Sequence, residues 1–138
     1  MNQNFDTVTK PEYRLFLDDQ RMPAKKDNTM HVVRCYEDAV HYMNVRGCPQ
    51  YISFDHDLGD PNAKTGYDLA KWLVEKDLDS NGAFIPATFG FDVHSQNPVG
   101  AENIRKYLRH YLEYKANQYF NNSTDQLPPS AHPRAADD

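Results

Sequence analysis

The chain has 138 residues, 39% hydrophobic and 25% charged, with a formal net charge of −5. That length suits one domain with its own core, and the composition excludes a chain disordered throughout. The acidic balance excludes the broad basic face that duplex DNA binding needs. No apolar run reaches membrane-spanning length, and the polar start from Met1 to Asp6 has no signal-peptide pattern, so the expected location is the cytoplasm. Cys35 and Cys48, the two cysteines, then read as free thiols rather than a bridge.

Residues 1–12 read as a loose lead-in. Arg14 to Leu17 is a short apolar run that predicts a buried strand, and Pro23 with Lys25-Lys26-Asp27-Asn28 predicts a loop. His31 to Tyr36 is β-branched and aromatic enough for a second strand, with Cys35 as core filler inside it. From Glu37 to Arg46, Ala39, Val40 and Met43 recur at helical spacing, and Gly47 followed by Pro49 ends the helix. Tyr51 to Phe54 is a third strand. Thr65-Gly66-Tyr67-Asp68 reads as a capping box opening a helix with Leu69, Trp72 and Leu73 on its apolar face. Asp79 to Gly82 is a turn, and Thr88 to Val93 a fourth strand. Asn97-Pro98 reads as an N-cap and first helical residue, leading a helix with Ile104, Tyr107, Leu108, Tyr111 and Leu112 on one face. Residues 121–138, polar and proline-rich, read as a disordered tail.

Strands alternating with amphipathic helices predict an α/β domain over residues 13–120. Its expected form is a three-layer sandwich with a mainly parallel sheet of about four strands. The order lacks a helix between the first two strands. A parallel pair needs a crossover of about a dozen residues, so the segment from Gln20 to Met30 is barely long enough and has room for a short helix.

Three polar clusters close three of these strands: Asp18-Asp19-Gln20-Arg21, Asp55-His56-Asp57 and His94-Ser95-Gln96-Asn97. In a parallel sheet the carboxyl ends of the strands share one edge, where ligands bind, so the clusters are expected to form one pocket. Carboxylates crowded there repel one another, and a hard divalent cation, Mg²⁺ or Mn²⁺, relieves that repulsion. Asp18, Asp19 and Asp57 are the candidate metal ligands, with Asp55 a further ligand or a nucleophile. His94 and His56 are candidate proton carriers. Arg21, Ser95, Asn97 and the start of the last helix are candidate phosphate contacts, with Gly100 letting a ligand approach the backbone.

Two acids after the first strand, an acid after the third and a hydroxyl after the fourth resemble the receiver domain of response regulators. The resemblance maps the metal and phosphoacceptor positions onto Asp18, Asp19 and Asp57 (or Asp55), and the phosphoryl contact onto Ser95. Four ordered motifs narrow it: Leu17-Asp18-Asp19-Gln20-Arg21-Met22-Pro23, Ser53-Phe54-Asp55-His56-Asp57-Leu58-Gly59, Thr65-Gly66-Tyr67-Asp68-Leu69 and Val93-His94-Ser95-Gln96-Asn97-Pro98-Val99-Gly100. Together they are similar to the cyclic-phosphate-processing receiver-like family, found in bacteriophages and bacteria. The resemblance implies a receiver-like, Rossmannoid (flavodoxin-like) fold and a metal-dependent phosphoesterase acting on a cyclic or terminal phosphate of a nucleotide or RNA end. The alternatives are a cyclic-nucleotide binder without turnover, as a sponge or sensor, and a degenerate receiver that acts as a protein-interaction module.

Overall fold

The structure, a computed structural model, describes residues 12–124, with side chains as far as residue 118. Four short strands, β1 (Arg14–Leu17), β2 (Met30–Val33), β3 (Tyr51–Phe54) and β4 (Gly90–Val93), form one sheet in the order β2-β1-β3-β4, every pair parallel. Three helices accompany them: α1 (Tyr36–Arg46), α2 (Gly66–Asp79) and α3 (Pro98–Thr124). The α/β fold with a four-stranded parallel sheet is therefore as read from the sequence. The lead-in over residues 1–12 falls outside the described residues except for Glu12. Helix α3 continues through Thr124, and the rest of the expected tail lies outside them.

Local signals fix several boundaries. Gly47 closes α1 at φ 87°, its N–H returning to the Met43 carbonyl, a conformation that costs glycine little. Thr65 and Asp68 form the reciprocal capping box at the start of α2. The Asn97 side chain accepts from the Gly100 N–H, 2.9 Å, capping α3 ahead of Pro98. One boundary differs. Strand β2 ends at Val33, so half-buried Cys35 is the N-cap residue of α1 rather than a strand residue. Two acids in the first turn, Glu37 and Asp38, favour the helix there.

No helix interrupts residues 18–29, so the short helix allowed for in the β1–β2 connection is absent. Side chains hold this crossover instead. Arg14 pairs with Asp27 at 2.9 Å, and Arg34 donates to the carbonyls of both Asp18 and Arg21. This missing helix shapes the whole architecture. The connections β2→β3 and β3→β4 both run across the sheet in the same direction, and right-handed crossovers then place α1 and α2 on one face. Ala39 and Met43 of α1, Leu69 and Leu73 of α2, and Ile104 and Leu108 of α3 join one core cluster with Leu15, Leu17, Ile52, Phe54 and Val93. The alternate strand residues Phe16, Met30, Tyr51 and Ser53 turn to the other face. There the loop residues Pro23, Ala24 and Lys25 help line a groove and no described helix packs, so among the described residues the expected three-layer sandwich has two layers, the β1–β2 connection supplying no helix for the third.

Candidate functional site

The parallel registers align Leu17 with Phe54 and Phe54 with Val93, three core residues on adjacent strands. The next residue in each strand is Asp18, Asp55 or His94. Each extends the ladder by one bond: Asp18 N–H to Val33 O, Asp55 N–H to Leu17 O and His94 N–H to Phe54 O. Alternation turns these three side chains away from the helical core together. One ligating atom from each lies within 4.8 Å of the others. A strand of the right length in the right register is thus enough to build the cluster.

Asp18 is 1% exposed. Its Oδ1 accepts from the Gln20 and Arg21 N–H groups, and its Oδ2 from Arg21 Nε at 3.0 Å and His94 Nε2 at 2.9 Å. Burial pushes its pKa up. The Arg21 and Gln20 amides, the His94 ring and the Arg21 charge together outweigh that and hold it below the usual carboxylate range. Asp55, also buried, is raised, first by burial and then by the Asp18 charge. Its Oδ1 accepts from the His56 N–H, and no hydrogen bond from a described residue reaches its Oδ2. A buried carboxylate oxygen left in this way beside a second carboxylate and an imidazole fits a divalent cation. Two hard oxygens suit Mg²⁺ or Mn²⁺, and the imidazole extends the fit to softer first-row metals.

A cleft of about 500 Å³ lies over this cluster, within the size range of small-molecule sites. Asp18, Asp19, Asp55, Asp57, Arg21, Ser95 and Asn97 all line it, so the sequence clusters do meet in one pocket. Their depths differ. Asp57, expected among the ligands, is exposed at the rim, bonded to His56 Nδ1 at 2.7 Å and reached by the Asn97 amide at 3.3 Å. The His56 hydrogen bond, against a smaller opposing effect of burial, holds the Asp57 pKa low, with Asn97 adding to it. Asp19 is half-buried, with the turn at Gly59 (φ 90°) close to its Oδ2.

The two histidines part company. His94 lies beneath the cleft, its ring stacked on Phe16 at 4.5 Å between centroids and its Nδ1 2.7 Å from Ser53 Oγ. His56 packs against the start of α3. A Cβ added at Gly100 would come within 2.4 Å of the His56 ring. Gly100 is buried and its N–H is taken by Asn97, so its missing side chain makes room for His56 rather than for a ligand. Gly66 serves the neighbouring segment in the same way, since a Cβ there would meet the Asp55 carbonyl at 1.9 Å. Arg21, read as a phosphate grip, is half-exposed and already engaged, with Nε on Asp18 and Nη2 on the His94 carbonyl.

Sequence reasoning passed over Ser53 and Arg34. Ser53 is the third residue of a four-residue strand and looks like ordinary strand filler. The signal that could find it is its position two residues before Asp55, on the face that Asp55 extends toward the cleft.

A parallel α/β domain with an acidic cluster at the carboxyl edge of strand order 2-1-3-4 is a receiver-type architecture. The family model described as the cyclic-phosphate processing receiver domain matches residues 13–110, and the chain belongs to that family. No curated protein and no solved structure is significantly similar to the chain. Among the described residues no helix is long and apolar enough to cross a membrane.

Proposed function

We propose that the protein is a metal-dependent phosphoesterase that opens or removes a cyclic or terminal phosphate on a nucleotide or RNA end. The observation that carries this reading is the convergence of Asp18, Asp55 and His94, one from each of three adjacent strand ends, beneath a cleft lined by Arg21, Ser95 and Asn97. Asp18, Asp55 and His94 would hold Mg²⁺ or Mn²⁺, with Asp19 and Asp57 at the rim to bind its water shell. When bound, the cation polarises a phosphoryl oxygen and lowers the pKa of a coordinated water. The Ser95 hydroxyl and Asn97 amide orient the phosphate, and the Arg21 guanidinium adds positive charge at its edge. The His56–Asp57 pair exchanges a proton at the rim, the carboxylate orienting the ring as in other general acid–base pairs. Membership of the family supports the substrate class.

A second reading has one observation in its favour. All four hydrogen bonds that the Asp18 carboxylate can readily accept come from within the chain, which suits a fixed binding site for a cyclic nucleotide without turnover.

The test is incubation with cyclic and linear nucleotides and with RNA oligomers ending in a cyclic phosphate, with Mg²⁺, Mn²⁺ or EDTA, scored for binding and products. We expect metal-dependent ring opening to a monoester, abolished by Asp55→Asn and slowed about 100-fold or more by His56→Ala. Retention of a cyclic nucleotide, unchanged with every metal, would establish the binder. Neither binding nor turnover would leave a degenerate receiver serving protein interaction.

A further inference from the structure

Ser53 is buried in the middle strand of the cluster, and its hydroxyl is the partner of His94 Nδ1 at 2.7 Å. The other ring nitrogen, Nε2, faces Asp18 Oδ2 at 2.9 Å. An ionised carboxylate only accepts, so Nε2 carries the proton, and in a neutral ring Nδ1 must then accept from the Ser53 O–H. In that tautomer Nε2 has no lone pair to give a cation lying between Asp18 and Asp55. To ligate, the ring must carry its proton on Nδ1, and Nδ1–H then needs an acceptor in a place closed on one side by the Phe16 ring. A hydroxyl turns about its Cβ–Oγ bond and meets either need. Ionised carboxylates and carbonyls only accept, and backbone N–H or ammonium groups only donate.

We propose that Ser53 is a positioning residue that lets His94 exchange tautomers, so that the group donating to Asp18 in the metal-free site becomes a ligand when a divalent cation binds. Proton balance is simple. The ring gives up the Nε2 proton to solvent and takes one at Nδ1, remaining neutral, while Ser53 keeps its own proton and only rotates. The inference rests on the metal-site reading above and adds to it a residue outside the cleft lining, on the opposite side of the His94 ring. A serine that merely fills a small space in the strand would have no effect on the ring's tautomer.

The test combines ¹⁵N chemical shifts of the His94 ring with Mn²⁺ affinity by calorimetric titration. In the metal-free wild type we expect Nε2 protonated and Nδ1 bare, and with diamagnetic Zn²⁺ the reverse at Nδ1. Ser53→Ala should weaken Mn²⁺ binding about 10- to 100-fold, the usual effect of removing the partner of a ligating histidine, and Ser53→Thr, which keeps the hydroxyl, should restore most of it. Equal Mn²⁺ affinity in wild type and Ser53→Ala, or an Nδ1–H already present in the metal-free wild type, would overturn the assignment while leaving the metal site standing. A wild type that binds none of Mg²⁺, Mn²⁺ or Zn²⁺ would overturn both.

Discussion

Asp18 and Asp55 respond oppositely to pH although they share one site. Burial acts against ionisation in both. Asp18 has four donors to offset it, whereas Asp55 has one amide and the Asp18 charge against it. The folded-state pKa of Asp55 lies above its unfolded value, so its contribution is fully present below the unfolded carboxylate range and its ionisation weakens the fold as pH rises through that raised pKa. The Asp18 contribution has the other sign. It is present above the unfolded carboxylate range and lost as pH falls through its depressed folded pKa. We therefore expect Asp55→Asn to raise the melting temperature of the metal-free protein at neutral pH, with the gain over wild type closing as the pH is lowered. Thermal melts in EDTA across a pH series check this, and a constant gain at all pH values would contradict it. Sequence alone did not separate Asp55 from Asp57 as the inner acid. The choice depends on where the chain leaves the sheet: residues 55 and 57 share one face for as long as an extended strand continues, and with the ladder ending at the Asp55 N–H only Asp55 stays at the cluster while Asp57 lies at the rim.

The helices act as seats for the site as much as cover for the core. At Gly100 the His56 ring fills the space a side chain would need. Gly100→Ala should therefore push the ring off its contact with Asp57 and cost about 1–3 kcal/mol, the range for overpacking a tight contact; a urea titration with the His56 ring resonances as a local probe would read both effects. Asp77, fully buried at the end of α2, ties three elements together. It accepts from the Phe84 and Ile85 N–H groups, from the Tyr111 hydroxyl at 2.6 Å and from Lys115 Nζ at 3.0 Å. Burial raises its pKa, but the Ile85 amide, Tyr111 and Lys115 hold it low, so its stabilisation is lost as pH falls through that depressed value. Asp77→Asn should destabilise the fold by about 3 kcal/mol in chemical denaturation, because an amide nitrogen replaces an acceptor among buried donors. The capping box at Thr65, the Asn97 cap and the Gly47 stop were all legible in the sequence, since each signal lies within a few residues of its partner. Asp77 was not, because its partners come from 7 to 38 positions further along the chain, at Phe84 and Lys115 among others and nothing local marks it.

At the scale of the molecule, strand register does what no local motif does, bringing residues 18, 55 and 94 into one cluster. Parallel pairing was legible in the alternation of elements, but the strand order was not, and the single helical layer replaces the expected three layers because no helix crosses between β1 and β2 and the remaining right-handed crossovers lie on one face. A cation that binds the native cluster and not the unfolded chain stabilises the whole fold, by about 2.7 kcal/mol at a hundred times its dissociation constant. Millimolar Mn²⁺ should accordingly raise the melting temperature relative to EDTA, and His94→Gln should remove most of that rise; superimposable wild-type curves would count against a metal site.

The β1–β2 crossover is restrained by guanidinium groups where another chain of this architecture would use a helix. A helix distributes its restraint over many backbone bonds, whereas here Arg34 alone ties down two carbonyls, those of Asp18 and Arg21. Such a segment can open as a unit of its own while the sheet stays closed. Arg34→Ala should speed amide hydrogen exchange at Gln20 and Arg21 by about tenfold for each 1.4 kcal/mol of restraint removed, with the amides of Ile52 and Phe54 in β3 exchanging as before. The edge of the cleft that carries Arg21 would then breathe independently of the floor beneath it, so substrate entry and metal retention become separable properties, each adjustable by substitution without disturbing the other.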